Sequence, residues 1–478
     1  MKKLILTALT VIAFVSCQSD DQYEAYNRDP KNPTQVNAGF LFNSATKSLF
    51  DQMTSTNVNS NIFRLLGQHW TETTYVDEAN YDFNTRSITA SHWNELYRDV
   101  LLDLKSAKTI TDADVSLTAA EKKSRNAQIE ILAVYAWANL VENFGDIPYS
   151  EALNPGQYAL PKYDKAETIY TDLIGRLTTA IPNLTSTGFG SVDPIYSGNS
   201  AKWKKFGYSL LLRMGVRVAD VTSMNAVSQK AIKDAVAGGV MSSNSDNAEI
   251  KYAATSPNTN PVWVDLVQSN RSDFVVANTI VDAMNTLNDP RRTSYFDENL
   301  GAGVFLGGPY GDNNSFSKYT HVSARIIDPT NPASLIDYAE VSFYLADAAE
   351  RSISGTPVAA AGFYNQGITA SFDYWGVSDV ATYLAKPEVN YATAATTWKE
   401  KIGKQLWLAM YNRGYEAWTA WRQYDIAGFN KPAVSGADVP TRLTYPLSEQ
   451  NLNTINYNAA STAIGGDKQT TKLFWDKF

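Results

Sequence analysis

Any catalysis or metal binding by this 478-residue chain would have to be built from one thiol, three imidazoles and 49 carboxylates. The imidazoles, His69, His92 and His321, are dispersed, and none belongs to an HExxH or other zinc-ligand spacing. No GxSxG elbow offers a serine nucleophile. The run LGGPYGDNN has the glycines of a phosphate loop but not the Lys-Ser or Lys-Thr that follows them. Two facing carboxylates suffice for glycoside hydrolysis. With 49 acidic residues, however, some pair always lies near, so the count carries no information. The expectation is a non-enzyme with no cofactor and no transition-metal site. Hard oxygen donors such as Asp312 and Asn313 leave calcium open.

The one thiol, Cys17, has a specific setting. Lys2 and Lys3 precede an apolar run, Leu4 to Val15, that is too short to cross a bilayer. Small Ser16 stands before the cysteine, and Gln18, Ser19, Asp20 and Asp21 follow it. This arrangement resembles the lipobox of bacterial lipoproteins. The resemblance implies cleavage before Cys17 and a thioether from its sulfur to diacylglycerol. Acyl chains such as palmitate then anchor the protein, since two or more chains hold where one binds only marginally. The acidic residues after the cysteine resemble the export signal of outward-facing Bacteroidetes lipoproteins. No later segment reaches the roughly 18 consecutive apolar residues of a spanning helix.

Composition narrows the partners. A formal charge of -8 disfavours nucleic acid, which needs concentrated Lys and Arg. The chain carries 27 tyrosines and 11 tryptophans, whose rings offer an apolar face with a polar edge. Such rings stack on the C–H faces of sugars, although many must be ordinary core. Aromatics in polar, loop-like context are the candidates for ligand contact. Trp70, Tyr75 and Tyr81 lie in HWTETTYVDEANYDFN, Phe305 and Tyr310 in a glycine-rich stretch, and Tyr374 and Trp375 at a helix end. Asn80, Asp312 and Asn313 stand beside them as polar partners.

The elements that must position these residues are mainly helices. QVNAGFLFNSATKSLFDQMTS has helical spacing, and NIFRLLGQHWTETTYV reads as its helical or semi-helical continuation. ITASHWNELYRDVLLDLKSAKTI reads as a third helix. Two stretches have helix-pair form. The first is AEKKSRNAQIEILAVYAWANLVENF with YDKAETIYTDLIGRLTTAI, the second member capped by Asp164 with Glu167. The second is SLIDYAEVSFYLADAAERSI with TPVAAAGFYNQGITASFDYWG. Alanines sit where each pair must approach closely, as in tetratricopeptide hairpins. Asn199 or Ser200 caps a strong helix in which Trp203 and Phe206 face the core and Arg213 and Arg217 form buried ion pairs. SDFVVANTIVDAMNTLNDPRR reads as one helix, and TTWKEKIGKQLWLAMYNRGYEAWTAWRQYDI as another with a core stripe Tyr415, Trp418, Trp421, Tyr424. LGAGVFLGGPYGDNNSFSKY reads as a long surface loop. The fold class is mainly α, with long irregular loops and small strand ribbons.

Together these segments resemble the SusD/RagB family of outer-membrane nutrient-binding lipoproteins, in particular the branch described as starch-binding and outer-membrane-associated. The resemblance is carried by NFGDIPYSEAL, DPIYSGNSAKWKKFGYSLLLRMGVRV, DPRRTSYF, YAEVSFYLADAAER, YNRGYEAWTAWRQYD, YPLSEQNLNTINYNAA and GGDKQTTKLFWDK, in that order. It implies a leader at 1–16, the lipidated cysteine and a flexible tether at 17–35, and a single SusD-like domain at 36–478. It further implies capture of an oligosaccharide on the outer face of the outer membrane and delivery to a SusC-like TonB-dependent transporter. A peptide or other non-glycan nutrient is the alternative cargo. The family's ligand residues lie outside its shared motifs, so none transfers to this sequence.

Overall fold

The computed structural model describes residues 36–353 and 359–478, and Cys17 with its leader and tether lies outside them. The architecture is helical. A first helix, α1 (Ala38–Thr54), packs against a rod in which α2 (Ile88–Asn94) runs on into a π-helical segment (Glu95–Leu101) and α3 (Leu102–Ala113), the last two making the contact. Four helical hairpins follow. They pair α4 (Ala119–Phe144) with α5 (Ala166–Ala180), and α6 (Ser200–Arg217) with α7 (Asn225–Gly238). After α8 (Asn278–Thr286) come α9 (Tyr338–Glu350) with α10 (Ala360–Trp375), and α11 (Trp398–Ala409) with α12 (Gly414–Tyr424). Short helices α13 (Leu447–Leu452) and α14 (Thr454–Ala463) close the chain. Ala38–Phe478 forms one compact unit.

Glycine, more than alanine, sets the closest approaches within hairpins. A Cβ on Gly367 of α10 would meet the Phe343 ring of α9 at 2.8 Å, and one on Gly215 of α6 would meet Ile232 Cγ1 of α7 at 2.8 Å. Ion pairs tie the hairpins together below the surface. Arg213 reaches Glu416 at 2.7 Å and Glu340 at 3.3 Å, Arg217 reaches Glu142 at 3.3 Å, and Arg413 reaches Glu340 at 2.6 Å. These carboxylates come from α4, α9 and α12, so the expected arginine pairing fixes three helices on α6. Trp203 and Phe206 are fully buried, as their spacing requires.

Several local readings are corrected. Asp164 does not cap α5; it lies in β3 (Tyr163–Asp164), and Asp146 Oδ1 accepts the first helical N–H, Ala166 N, at 2.8 Å. The run from Asn61 is a single turn, Phe63–Leu66, that passes into β1 (Trp70–Glu72) rather than continuing as helix. SDFVVANTIVDAMNTL divides into β5 (Phe274–Val276) and α8. The C-terminal helix is two helices. Asn412 takes a left-handed φ of 70°, and a Cβ on Gly414 would lie 2.3 Å from Arg64 N, so the chain must break there to pass the Phe63 turn. The strands form three two-stranded antiparallel ribbons: β1 with β5, β2 (Ile147–Pro148) with β3, and β4 (Ala248–Ile250) with β6 (Ala333–Ile336).

Candidate ligand-binding face

The β1–β5 ribbon is the platform on which two of the three aromatic-rich segments meet. Its register sets Trp70 opposite Val276, Thr71 opposite Val275 and Glu72 opposite Phe274. Thr73 extends the ladder, its N–H donating to Asp273 O at 2.9 Å and its hydroxyl to Ser272 O at 2.6 Å. The glycine-rich loop lies across this ribbon. Gly308 N donates to Val276 O at 2.9 Å, and Gly311 N donates to Thr71 Oγ1 at 3.0 Å. Asn314 Nδ2 donates to Glu72 O, Pro309 O and Asp312 O at 2.9 to 3.1 Å. A Cβ on Gly307 would meet Asn278 Cα at 2.4 Å, and one on Gly308 would meet Val275 Cγ2 at 2.8 Å. The paired glycines therefore serve close backbone approach.

This clamp leaves a shallow depression of about 610 Å³ lined by Thr73, Thr74, Ser272, Asp273, Asn313 and Phe316, among others. Phe316 is half-buried, and its ring stacks on the His321 imidazole with centroids 3.8 Å apart and planes at 17°. His321 Nε2 donates to Phe316 O at 2.9 Å, which locks that pair. Tyr75 is 72% exposed in the segment between Thr74 and Glu78 and adopts a φ of 56°, a left-handed conformation for a non-glycine residue. Hydroxyls, amides and one rigid ring face can hold sugar hydroxyls and a pyranose face. The carboxylate among the named lining residues, Asp273, is paired with Arg271.

The segment carrying Tyr75 is stapled from below by two buried carboxyl groups. Glu72 Oε2 accepts Ala79 N at 2.8 Å, and Glu78 pairs with Arg86. Burial, and next the adjacent Glu78, push Glu72 up to about 10, so Glu72 keeps its proton at neutral pH. Burial holds His69 down to about 3 and His92 down to about 4, leaving both neutral. Among the described residues no three His, Cys, Asp or Glu side chains gather into a metal-holding group.

The sequence candidates divide sharply. Tyr75, Asp312 and Asn313 are exposed on or beside the depression. Five aromatics read as surface rings are instead buried. Trp70 is 1% exposed and donates Nε1–H to Tyr411 Oη at 3.2 Å. The Tyr310 hydroxyl donates to Leu65 O at 2.8 Å, and Tyr81 Oη accepts from Gln68 Nε2 at 3.2 Å. Phe305 packs edge-on against Phe296, and Trp375 against Tyr295 at 4.6 Å. For Trp70, Tyr81, Phe305 and Tyr310 the physical reason is shared: segments rich in Gly, Asn and Thr have few apolar side chains, so their rings turn inward as anchors, whereas Trp375 lies on the buried face of α10. Asn80 spends its amide on structure, donating to Val76 O and Gly311 O and accepting Ser435 N, each at 2.8 Å. Tyr374, half-buried, lies with Trp375 at a separate narrow cavity of about 40 Å³ beside Asp337 and Glu416. Phe316, Thr74 and Ser272 were not singled out. A lone phenylalanine in the polar run DNNSFSK was the available signal for Phe316.

With this geometry in place, comparison with known proteins is decisive. Residues 30–446 match the profile of a SusD-like family described as starch-binding, associating with the outer membrane. The chain belongs to the SusD-like family. No curated protein sequence gives a significant match. Solved structures do. A chitin-binding protein is 25% identical, with a TM-score of 0.79 over 92% of this chain and 100% of that one. A SusD homologue from Bacteroides uniformis is 26% identical, with a TM-score of 0.77 over 92% and 100%. A chitin-binding SusD homologue from Flavobacterium johnsoniae is 24% identical, with a TM-score of 0.77 over 91% and 98%. This SusD-like chain thus shares its mainly helical fold with them, and the family is associated with the outer membrane. Among the described residues no helix is long and apolar enough to cross a membrane.

Proposed function

We propose that this SusD-like protein is a surface lipoprotein that captures an oligosaccharide on the β1–β5 face and hands it to a SusC-like TonB-dependent transporter. The observation that carries the reading is the depression itself, a rigid Phe316–His321 stack beside the side chains of Thr74, Ser272 and Asn313, with exposed Tyr75 on the adjoining segment. Stacking plus short polar bonds suits a neutral sugar. Net gain per hydroxyl is small, because each protein bond replaces a water bond. Affinity is therefore modest, in roughly the micromolar range or weaker, which also suits a protein that must release its cargo. The 25%-identical chitin-binding neighbour makes N-acetylglucosamine oligomers the first ligands to try.

Lipidation at Cys17 and an outward-facing position belong to the same proposal, resting on the lipobox-like leader. Cys17→Ala releases the protein from the membrane fraction, and protease treatment of intact cells degrades the parent. Protein that survives such treatment while a surface control is cut overturns the outward orientation. Capture is tested by calorimetry with a panel of oligosaccharides and peptides, and delivery by co-purification with a SusC-like transporter from the same cells. Binding of peptides alone replaces the cargo class.

A further inference from the structure

We propose that the ligand path continues past the β1–β5 depression to a second aromatic subsite at Trp421 and Phe429, so that the protein selects oligomers over short fragments. The inference rests on the oligosaccharide reading above. Of the four aromatics spaced along α12, Tyr415, Trp418 and Tyr424 are buried, whereas Trp421 is half-buried. Its ring stacks on Phe429, with centroids 5.2 Å apart and planes at 16°. Phe429 is backed in turn by Trp407 at 5.5 Å, itself buried and fixed by Nε1–H donating to Gly67 O at 2.8 Å. The pair is therefore rigid before any ligand arrives, which reduces the ordering cost of binding. It borders an open cavity of about 370 Å³ whose polar groups are Thr441, Thr470 and the exposed Lys431–Asp438 pair, 2.7 Å apart. A ring platform with hydroxyls and a neutralised charge pair at its rim suits an uncharged sugar unit.

The loops that carry the two sites touch each other. Ser435 N donates to Asn80 Oδ1 and Ala433 N to Tyr310 O, each at 2.8 Å. A Cβ on Gly311 would lie 2.8 Å from Pro432 Cα, so the glycine-rich loop touches the Lys431–Asp438 loop directly. Asn313 is two Cα steps from Gly311, and Phe429 is three from Pro432; at about 3.8 Å per step the two sites lie within about 25 Å of each other. Between them stand exposed Asp312 and Ser435. An oligosaccharide of several units is long enough to cover that distance. Two weak contacts joined in one chain raise affinity through effective concentration.

The test uses the lipid-free mature protein with chitohexaose and chitobiose as probes, read by calorimetry. Trp421→Ala weakens the hexamer about tenfold, or about 1.4 kcal/mol, and leaves the dimer unchanged. Trp421→Phe, which keeps a ring, retains most of the hexamer affinity. Hydrogen exchange on the parent gives a second measure that needs no variant to fold. The hexamer protects residues 425–441 as well as the β1–β5 face, and the dimer protects only the latter. If Trp421→Ala binds the hexamer like the parent, or protection stops at the β1–β5 face, the second subsite is wrong and the oligosaccharide reading stands. If the parent binds neither probe, the chitin-type reading fails and the inference falls with it.

Discussion

Phe316 and Glu72 show how single residues divide the work of the ligand face. Phe316 offers a ring face, and Glu72 keeps the neighbouring segment closed from beneath. Replacing Phe316 with Ala removes the stack on His321 and lowers oligosaccharide affinity about tenfold, about 1.4 kcal/mol, with the fold intact by circular dichroism. Glu72 makes stability depend on pH. The folded protein keeps a proton that an unfolded glutamate releases above about 4.3. The contribution is full below that value and is lost as pH rises toward about 10, where burial and Glu78 set the folded titration. Glu72→Gln mimics the protonated form. Its melting temperature should equal the parent's near pH 4.5 and exceed it at pH 9; a variant that tracks the parent at both pH values refutes the retained Glu72 proton. Residue type alone revealed Trp203, Phe206, Arg213 and Arg217, because helical spacing fixes which way they point. It misread Trp70, Tyr81, Phe305, Tyr310 and Trp375. Outside helices no periodicity reports direction, and for the first four a ring with few apolar neighbours in sequence becomes the anchor that holds its segment down; Trp375 is the last residue of α10 and lies on its buried face.

At the scale of elements, the hairpins were legible and their joints were not. Apolar period and capping residues placed α1, α4, α6, α9 and α10. The β1–β5 ribbon escaped because three-residue strands carry no period, and its pairing joins residues some 200 positions apart in sequence. The cap of α5 escaped for the same reason, since Asp146 reaches it from another segment. Asp146→Ala should cost about 1 kcal/mol, the usual value of a helix N-terminal acceptor, whereas loss of the Asp164 carboxylate removes the bond from Ser150 N instead. Gly367→Val forces a side chain into the Phe343 ring and should cost about 1–3 kcal/mol as an overpacked contact. Urea denaturation compares the variants, and a neutral Gly367→Val would mean that α9 and α10 separate more easily than their packing indicates.

Across the described molecule, the compact unit Ala38–Phe478 carries the proposed ligand face on a helical scaffold tied by buried ion pairs. Arg213 is buried against Glu416 and Glu340, so removing it takes the near partner from Glu416 and leaves Arg413 as the cation beside both buried carboxylates. Arg213→Ala should cost about 3–5 kcal/mol and lower the melting temperature without touching the ligand face. The SusD-like assignment rests on this scaffold and on the family match over residues 30–446; the cargo rests on the surface. Calorimetric titration of chitohexaose into the parent and into Phe316→Ala is the most direct test of that surface. The account predicts salt-insensitive binding by the parent, in roughly the micromolar range or weaker, and a clear loss in the variant. Equal binding by both proteins would contradict it.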